Sequence, residues 1–361
     1  MHPLRRRSLC LALPTLAALA CFAARAAEAA PECRPLGNAK PLCGFRSPED
    51  LAPLPGAKAL IVAEFGGMQD ASAGALSLLD LASEKRSVLF RGGDAKAAAT
   101  EGWGEPRCPG APGAGFSPHG IDIAPRPDGR LQLAVVQHGG RESIELFEVL
   151  GSGREWKLAW RGCIVAPEDA WLNDVVWLPD GSLIASHMAS RAGGAPKIQS
   201  GEAGPGHALR WSAGEGFREL AGTRGALPNG VEVSADGAKL FLNVTSANEV
   251  RRIDLASGVV EARAAVLSPD NSTWAPDGAL LVASLRPTGG IDFSRCQDSA
   301  GGPCPIDFAI VAVDPASMLT RELYRGDGVT MGAGTVGLRV GRDLYVGSFA
   351  GDRLLRVRLE E

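Results

Sequence analysis

The stretch Phe116 to Gly139, FSPHGIDIAPRPDGRLQLAVVQHG, reads as a strand, a tight turn and a returning strand. Leu131, Leu133 and Val135 fall on one face and Gln132, Ala134 and Val136 on the other, the period-two spacing of a pleated strand. Pro127-Asp128-Gly129 supplies the turn, because Asp-Gly tolerates the positive φ of a tight hairpin. A histidine stands at each open end, His119 before the first strand and His138 after the second. Antiparallel strands return side by side, so the two imidazoles can share one edge of the sheet and act as an acid–base pair.

The unit recurs. It spans Val175 to Ser186 around Pro179-Asp180-Gly181, Val231 to Val244 around Ala235-Asp236-Gly237, and Ser272 to Ser284 around Pro276-Asp277-Gly278. A spacing of roughly 40 to 60 residues is that of propeller blades. Two further apolar groups, Leu60 to Leu81 and Phe308 to Leu359, bring the number to six. The expectation is an all-β chain, a six-bladed β-propeller of four-stranded antiparallel blades forming a single domain over residues 28–361. A β-sandwich accommodates the short strands but not their repetition. Gly92 to Ala114 and Met188 to Gly206 depart from the pattern, and they read as surface excursions and candidates for a lid. Trp103, Trp171, Trp177 and Trp274 are expected to fill blade interfaces, while His187 and His207 flank the second excursion.

A short polar motif precedes each repeated hairpin: Pro118-His119-Gly120, Leu172-Asn173-Asp174, Pro228-Asn229-Gly230 and Pro269-Asp270-Asn271. Pro48-Glu49-Asp50 takes the same place before the strand at Ala57 to Phe65. Equivalent positions of successive blades surround one axis, so these loops should converge at one mouth of the channel. Singly, each Asn or Asp serves equally well as a turn residue. Jointly, Glu49, Asn173, Asn229, Asp270 and Asn271 offer two carboxylates and three amides, hard oxygen donors that suit Ca²⁺ better than Mg²⁺.

The N-terminus shows Arg5, Arg6 and Arg7, an apolar run from Leu9 to Ala24 and small residues to Ala27, the order of a secretory signal peptide. Cleavage after Ala27 would remove four arginines and no acid, taking the formal net charge from -4 to -8. An acidic chain without a basic stripe is a poor partner for nucleic acid, and no later stretch is long enough for stable membrane insertion. The expected location is secreted or periplasmic. Six of the eight cysteines lie beyond the signal, an even number in an exported chain. Sequence order favours Cys33 with Cys43, Cys296 with Cys304 and so Cys108 with Cys163, one of 15 connectivities. Zinc finds no paired Cys or His spacing, and no Gly-rich loop opens a helix to cradle a nucleotide.

Taken together, PED at 48–50, PHGI at 118–121, the second histidine at 138, LND at 172–174, NG at 229–230 and DN at 270–271 make the chain resemble the paraoxonases. These are calcium-dependent lactonases and arylesterases whose six-bladed propeller superfamily also holds gluconolactonases and strictosidine synthase-like proteins. The resemblance implies two calcium ions. The catalytic one would be held by Glu49, Asn173, Asn229, Asp270 and Asn271, and a buried structural one by Asp50, Asp174 and the carbonyl of Ile121. His119 and His138 would match the family's histidine dyad. The chain departs from the family in having no cysteine after Cys304 to tie the two ends of the propeller together. Its Gly/Ala-rich excursions are also unlike the family's lid.

The expected activity is hydrolysis of a small-molecule lactone or ester, with Ca²⁺ polarising the carbonyl and His119 taking a proton from water. Glu49 and Asp270 are alternative bases. The rival expectation is a non-catalytic propeller that binds a ligand or partner and keeps calcium for structure alone.

Overall fold

The computed structural model describes residues 33–66, 73–94, 99–191, 205–287, 296 and 302–360. Among these residues, twenty-four strands form six separate four-stranded antiparallel sheets. Blade 1 consists of β2 (Pro48–Pro53), β3 (Ala59–Glu64), β4 (Ala75–Asp80) and β5 (Lys85–Arg91). Blade 2 follows with β6 (Pro118–Pro125), β7 (Leu131–Gln137), β8 (Ser143–Ser152) and β9 (Glu155–Val165). Blade 3 takes β10 (Ala170–Trp177), β11 (Leu183–Ser190), β12 (His207–Ser212) and β13 (Gly216–Glu219). Blade 4 contains β14 (Pro228–Val233), β15 (Lys239–Val244), β16 (Glu249–Asp254) and β17 (Val260–Ala265). Blade 5 is β18 (Pro269–Trp274), β19 (Leu280–Leu285), β20 (Phe308–Val313) and β21 (Thr320–Gly326). Blade 6 is completed from both ends of the chain: β22 (Gly334–Val340), β23 (Asp343–Ser348) and β24 (Arg353–Arg358) accept β1 (Ala39–Cys43) as their outermost strand. The expected all-β six-bladed propeller is the fold, although the apolar group from Phe308 divides between blades 5 and 6.

The alternation in the opening stretch explains how the ring holds together. Leu133 and Val135 pack toward blade 1, while Ala134 and Val136 pack toward blade 3. The same division occurs in β3, where Ile61 and Ala63 face blade 2 but Leu60 and Val62 face blade 6. Six buried clusters therefore fill the six blade interfaces, and a strand buried on both faces reads as a continuous apolar run. Closure rests on β1, whose Ala39 to Cys43 pair antiparallel with Val357 to Arg353. The Cys33–Cys43 disulfide fastens the preceding segment to that strand, so the ring closes without a covalent link between its ends.

The four Asp-Gly turns share one construction. Gly129, Gly181, Gly237 and Gly278 all have positive φ, and the aspartate before each accepts the amide two residues on, as Asp128 does from Arg130 and Asp180 from Ser182. Gly92 to Ala114, apart from residues 95–98, which lie outside the described residues, is less of an excursion than its composition suggests. Trp103 is 2% exposed under the Arg126 guanidinium, and Glu105 and Cys108 tie the segment to Cys163 on β9 by a hydrogen bond and a disulfide. Met188 to Ser190 is strand, the end of β11, and residues 192–204 of the second excursion lie outside the described residues. The third disulfide joins Cys296 to Cys304. Three disulfides suit an extracellular or periplasmic protein. Among the described residues no helix is long and apolar enough to cross a membrane.

Candidate functional site

The innermost strands β2, β6, β10, β14, β18 and β22 are neighbours in that order around the ring, and β22 returns to β2. Each has a break in register at its polar motif: after Pro48, Pro118, Leu172, Pro228, Pro269 and Gly334 the pairing with the second strand shifts. A bulge re-aims side chains that would otherwise alternate across the sheet. Proline suits the first residue because it has no N–H to leave unpaired there. Six bulges at one end of six neighbouring strands thus carry Glu49, His119, Asn173, Asn229, Asp270 and Thr335 to equivalent positions. Thr335 is a residue that sequence reading missed, and its hydroxyl donates to the Glu49 carbonyl at 2.6 Å.

At this mouth the polar atoms are buried yet incompletely bonded. Glu49, 1% exposed, accepts Asn271 Nδ2 at Oε1 at 2.6 Å and lies 3.6 Å from His119 Nε2. Its Oε2 has no partner, and neither do Asn173 Oδ1, Asn229 Oδ1, Asn271 Oδ1, His119 Nδ1 and His138 Nε2. These are six of the ten such buried atoms among the described residues, so the deficit concentrates here. The amide orientations fit this reading: Asn271 turns its nitrogen to Glu49, Asn173 to Met188 Sδ and Asn229 to Asp270, which leaves each oxygen free.

Burial pushes Glu49 well above the usual carboxylate range, reinforced by Asp50, Asp270 and Asp174. It raises Asp270 to about 7, against a bond from Asn229 that opposes the shift. Burial also drives the His119 imidazole well below its ordinary value, with His138 adding repulsion and the Asn173 carbonyl opposing it. The two histidine rings are 5.0 Å apart, and Phe65 touches both, at 4.7 Å and 5.7 Å. Trp171 lies 5.8 Å from His138, so it borders this mouth instead of filling a blade interface. His187 and His207 sit opposite one another on β11 and β12, 4.8 Å apart, and His187 Nδ1 accepts the Trp171 amide.

Deeper in the channel, Asp50 bridges Leu51 N and Ile121 N, and Asp174 bridges Val175 N and Val231 N, so each aspartate spans to the following blade. Ile121 meets Asp50 through its amide N–H. Gly120 makes room for the backbone of Asp174, because a Cβ there would stand 2.5 Å from the Asp174 Cα. Asp122 and Glu232, absent from the sequence reading, complete a group of four carboxylates that repel one another. Burial raises Asp50 to about 7 and Asp122 to about 6, and Asp174 and Glu232 well above their ordinary values. Among the described residues no three His, Cys, Asp or Glu side chains gather as a metal site. The candidate ligand set at the mouth is mostly amide, which such a grouping does not include.

Residues 119–284, just under half the chain, match the family described as the SMP-30/Gluconolactonase/LRE-like region. No curated protein matches the sequence. Among solved structures, the chain is similar to a luciferin-regenerating enzyme at 14% identity and a TM-score of 0.52, over 88% of this chain and 92% of that one. Regucalcin from Agrobacterium tumefaciens, a calcium-binding protein, gives 14% identity and a TM-score of 0.50 with the same coverage. A structural-genomics target classed as a gluconolactonase gives 16% identity and 0.50, over 90% and 93%. At these identities the structures share the fold. The matched residues include His119, His138, Asn173, Asn229, Asp270 and Asn271.

Proposed function

We propose that this lactonase-type propeller hydrolyses lactones or esters with bound calcium, at the mouth ringed by Glu49, Asn173, Asn229, Asp270 and Asn271. One observation carries the reading: four buried oxygens, on Glu49, Asn173, Asn229 and Asn271, have no hydrogen-bond partner. Such atoms are costly unless a ligand satisfies them. Carboxylates and amides without thiolates suit a hard cation. When bound, calcium supplies a Lewis acid for the substrate carbonyl and stabilises negative charge as it develops there.

The chain's own residues handle the proton. Burial drives His119 toward its neutral form, in which one ring nitrogen can accept a proton from water and leave the electron pair on the oxygen that attacks, while Phe65 closes off one side of the imidazole pair. His138 receives the proton or sets the His119 tautomer. A second calcium belongs with Asp50, Asp174 and the carbonyl of Ile121, where Asp122 and Glu232 add charge. Residues 1–27 are the cleaved signal of a secreted or periplasmic protein, and 28–361 are the working propeller.

The test combines metal analysis of the purified mature chain with a panel of γ- and δ-lactones and aryl esters, assayed with and without a chelator. Two ions per chain and turnover lost on chelation are expected. No turnover, with calcium still raising the melting temperature, would replace this reading by a ligand-binding propeller.

A further inference from the structure

His138 is held by a carboxylate that the hydrolytic scheme does not use. Its Nδ1 lies 3.0 Å from both oxygens of Glu142, a residue only 8% exposed in the loop between β7 and β8. An ionised carboxylate only accepts, so Nδ1 must carry the ring hydrogen. The neutral imidazole then presents a bare lone pair at Nε2, the atom that is buried without a partner beside His119.

The loop that sets this geometry is itself fixed. Gln137 Nε2 donates to the carbonyls of Gly139 and Arg141, and His138 N donates to Ser117 O. Gly139 lies so close to Gly115 that a Cβ would stand 1.5 Å from its carbonyl oxygen. Glu142 has two further anchors, the amide of Leu172 at 2.6 Å and Arg191 Nη1 at 2.6 Å. Leu172 occupies the position that is proline in blades 1, 2, 4 and 5. A proline could not donate, and here the donor is needed. The carboxylate therefore joins the histidine arm of blade 2 to the strand of blade 3 that bears Asn173.

We infer that Glu142 is a positioning residue that locks His138 as its Nδ1–H tautomer and thereby makes His138 Nε2 the proton acceptor of the imidazole pair. This rests on the hydrolytic reading above for its catalytic meaning but not for its geometry. The direction of transfer follows: when His119 takes up a proton, His138 Nε2 offers a lone pair to which a proton can pass, and the positive charge His138 then gains is met by Glu142.

Imidazole-¹⁵N correlation spectra of the whole mature chain at neutral pH would read the tautomer directly, with His138 identified by its loss in His138→Gln. The expected spectrum has Nδ1 protonated and Nε2 bare. Glu142→Gln should mix the tautomers and lower kcat by about 10²-fold with KM within about threefold, and Glu142→Asp should recover part of both. A wild-type His138 protonated at Nε2 would overturn the inference, as would Glu142→Gln with tautomer and kcat unchanged. If Glu142→Gln fails to fold, the wild-type spectrum alone decides. Absence of turnover in wild type would remove the hydrolytic reading and leave the tautomer result to stand or fall by itself.

Discussion

The two ends of the innermost hairpins use the same residues for opposite purposes. At the turn end, Asp128, Asp180, Asp236 and Asp277 each accept a backbone amide of their own turn, and all four are held below the usual carboxylate range. At the mouth, Glu49 and Asp270 are raised, by burial first, as are Asp50 and Asp174 deeper in the channel. Asn173, Asn229 and Asn271 keep unpartnered oxygens at the mouth. Residue type therefore does not separate a turn from a site. The separation lies in whether the lone pairs are satisfied locally, which a bulge prevents at one end and an Asx turn ensures at the other.

The largest contrast should come from alanine at matched positions of blade 5. Asp270→Ala removes a carboxylate from the mouth, and kcat/KM on a lactone should fall by at least about 10³-fold with weakened calcium binding. Asp277→Ala removes an exposed turn acceptor and the Arg339 ion pair, and stability should change by no more than about 1 kcal/mol with activity intact. Equal activity losses in the two variants, measured by steady-state kinetics on folded protein, would erase the distinction between the ends.

An intermediate effect is expected from pH. Without metal, Asp50 and Asp270 titrate near 7 and Asp122 near 6, against 3.8 for the ordinary group. Each is raised in the folded chain, so the folded state holds protons that the unfolded state has already released. Stability is then greatest below the unfolded value and declines as pH rises from about 4 to about 7. The turn-end aspartates are lowered, so their contribution rises only near the unfolded value and adds little slope between pH 5 and 7. Chelated protein should therefore melt at progressively lower temperature between pH 5 and 7, and excess calcium should flatten the curve. A metal-free melting temperature that rises with pH would contradict the crowding of carboxylates at the channel.

How much of this is legible in the sequence follows the same division. Turn chemistry is local, so the four Asp-Gly hairpins and the alternation between them give the propeller directly. The mouth motifs of blades 3, 4 and 5 show in register with those hairpins, which is why Asn173, Asn229, Asp270 and Asn271 can be named from spacing, while Glu49 follows from the like motif before the strand at Ala57 to Phe65. Blades 1 and 6 carry no Asp-Gly turn, and Thr335 follows a glycine in place of the proline, so nothing local marks it. Glu142 reads as one more loop charge, since its partners Leu172 and Arg191 are 30 and 49 residues away. The closure of β1 on β24 joins residues more than 300 positions apart, and no period predicts it. Trp103, expected at a blade interface, does pack in the cluster between blades 2 and 3, although the Arg126 guanidinium that covers it comes from a different segment.

The smallest predicted effect uses one chemical change at both ends. Asp180→Asn keeps an acceptor for the Ser182 amide and hydroxyl and loses only the charge facing Arg210, a pair more than half exposed on the aspartate side. Exposed pairs contribute little and are screened, so the melting temperature should move by about 1 °C and the difference should vanish at high salt. Asp174→Asn makes the same exchange where the carboxylate is buried and repelled by Asp50. In the metal-free chain that substitution relieves repulsion but turns one of the two oxygens that accept Val175 N and Val231 N into a donor, so the effects oppose and the melting temperature should change little, whereas with calcium present it should fall clearly. A loss of stability that appears at residue 174 only on adding calcium, with none at residue 180, is the outcome that assigns the buried carboxylates to a cation. An equal effect under both conditions at residue 174 would leave Asp174 as a bridge between blades and nothing more.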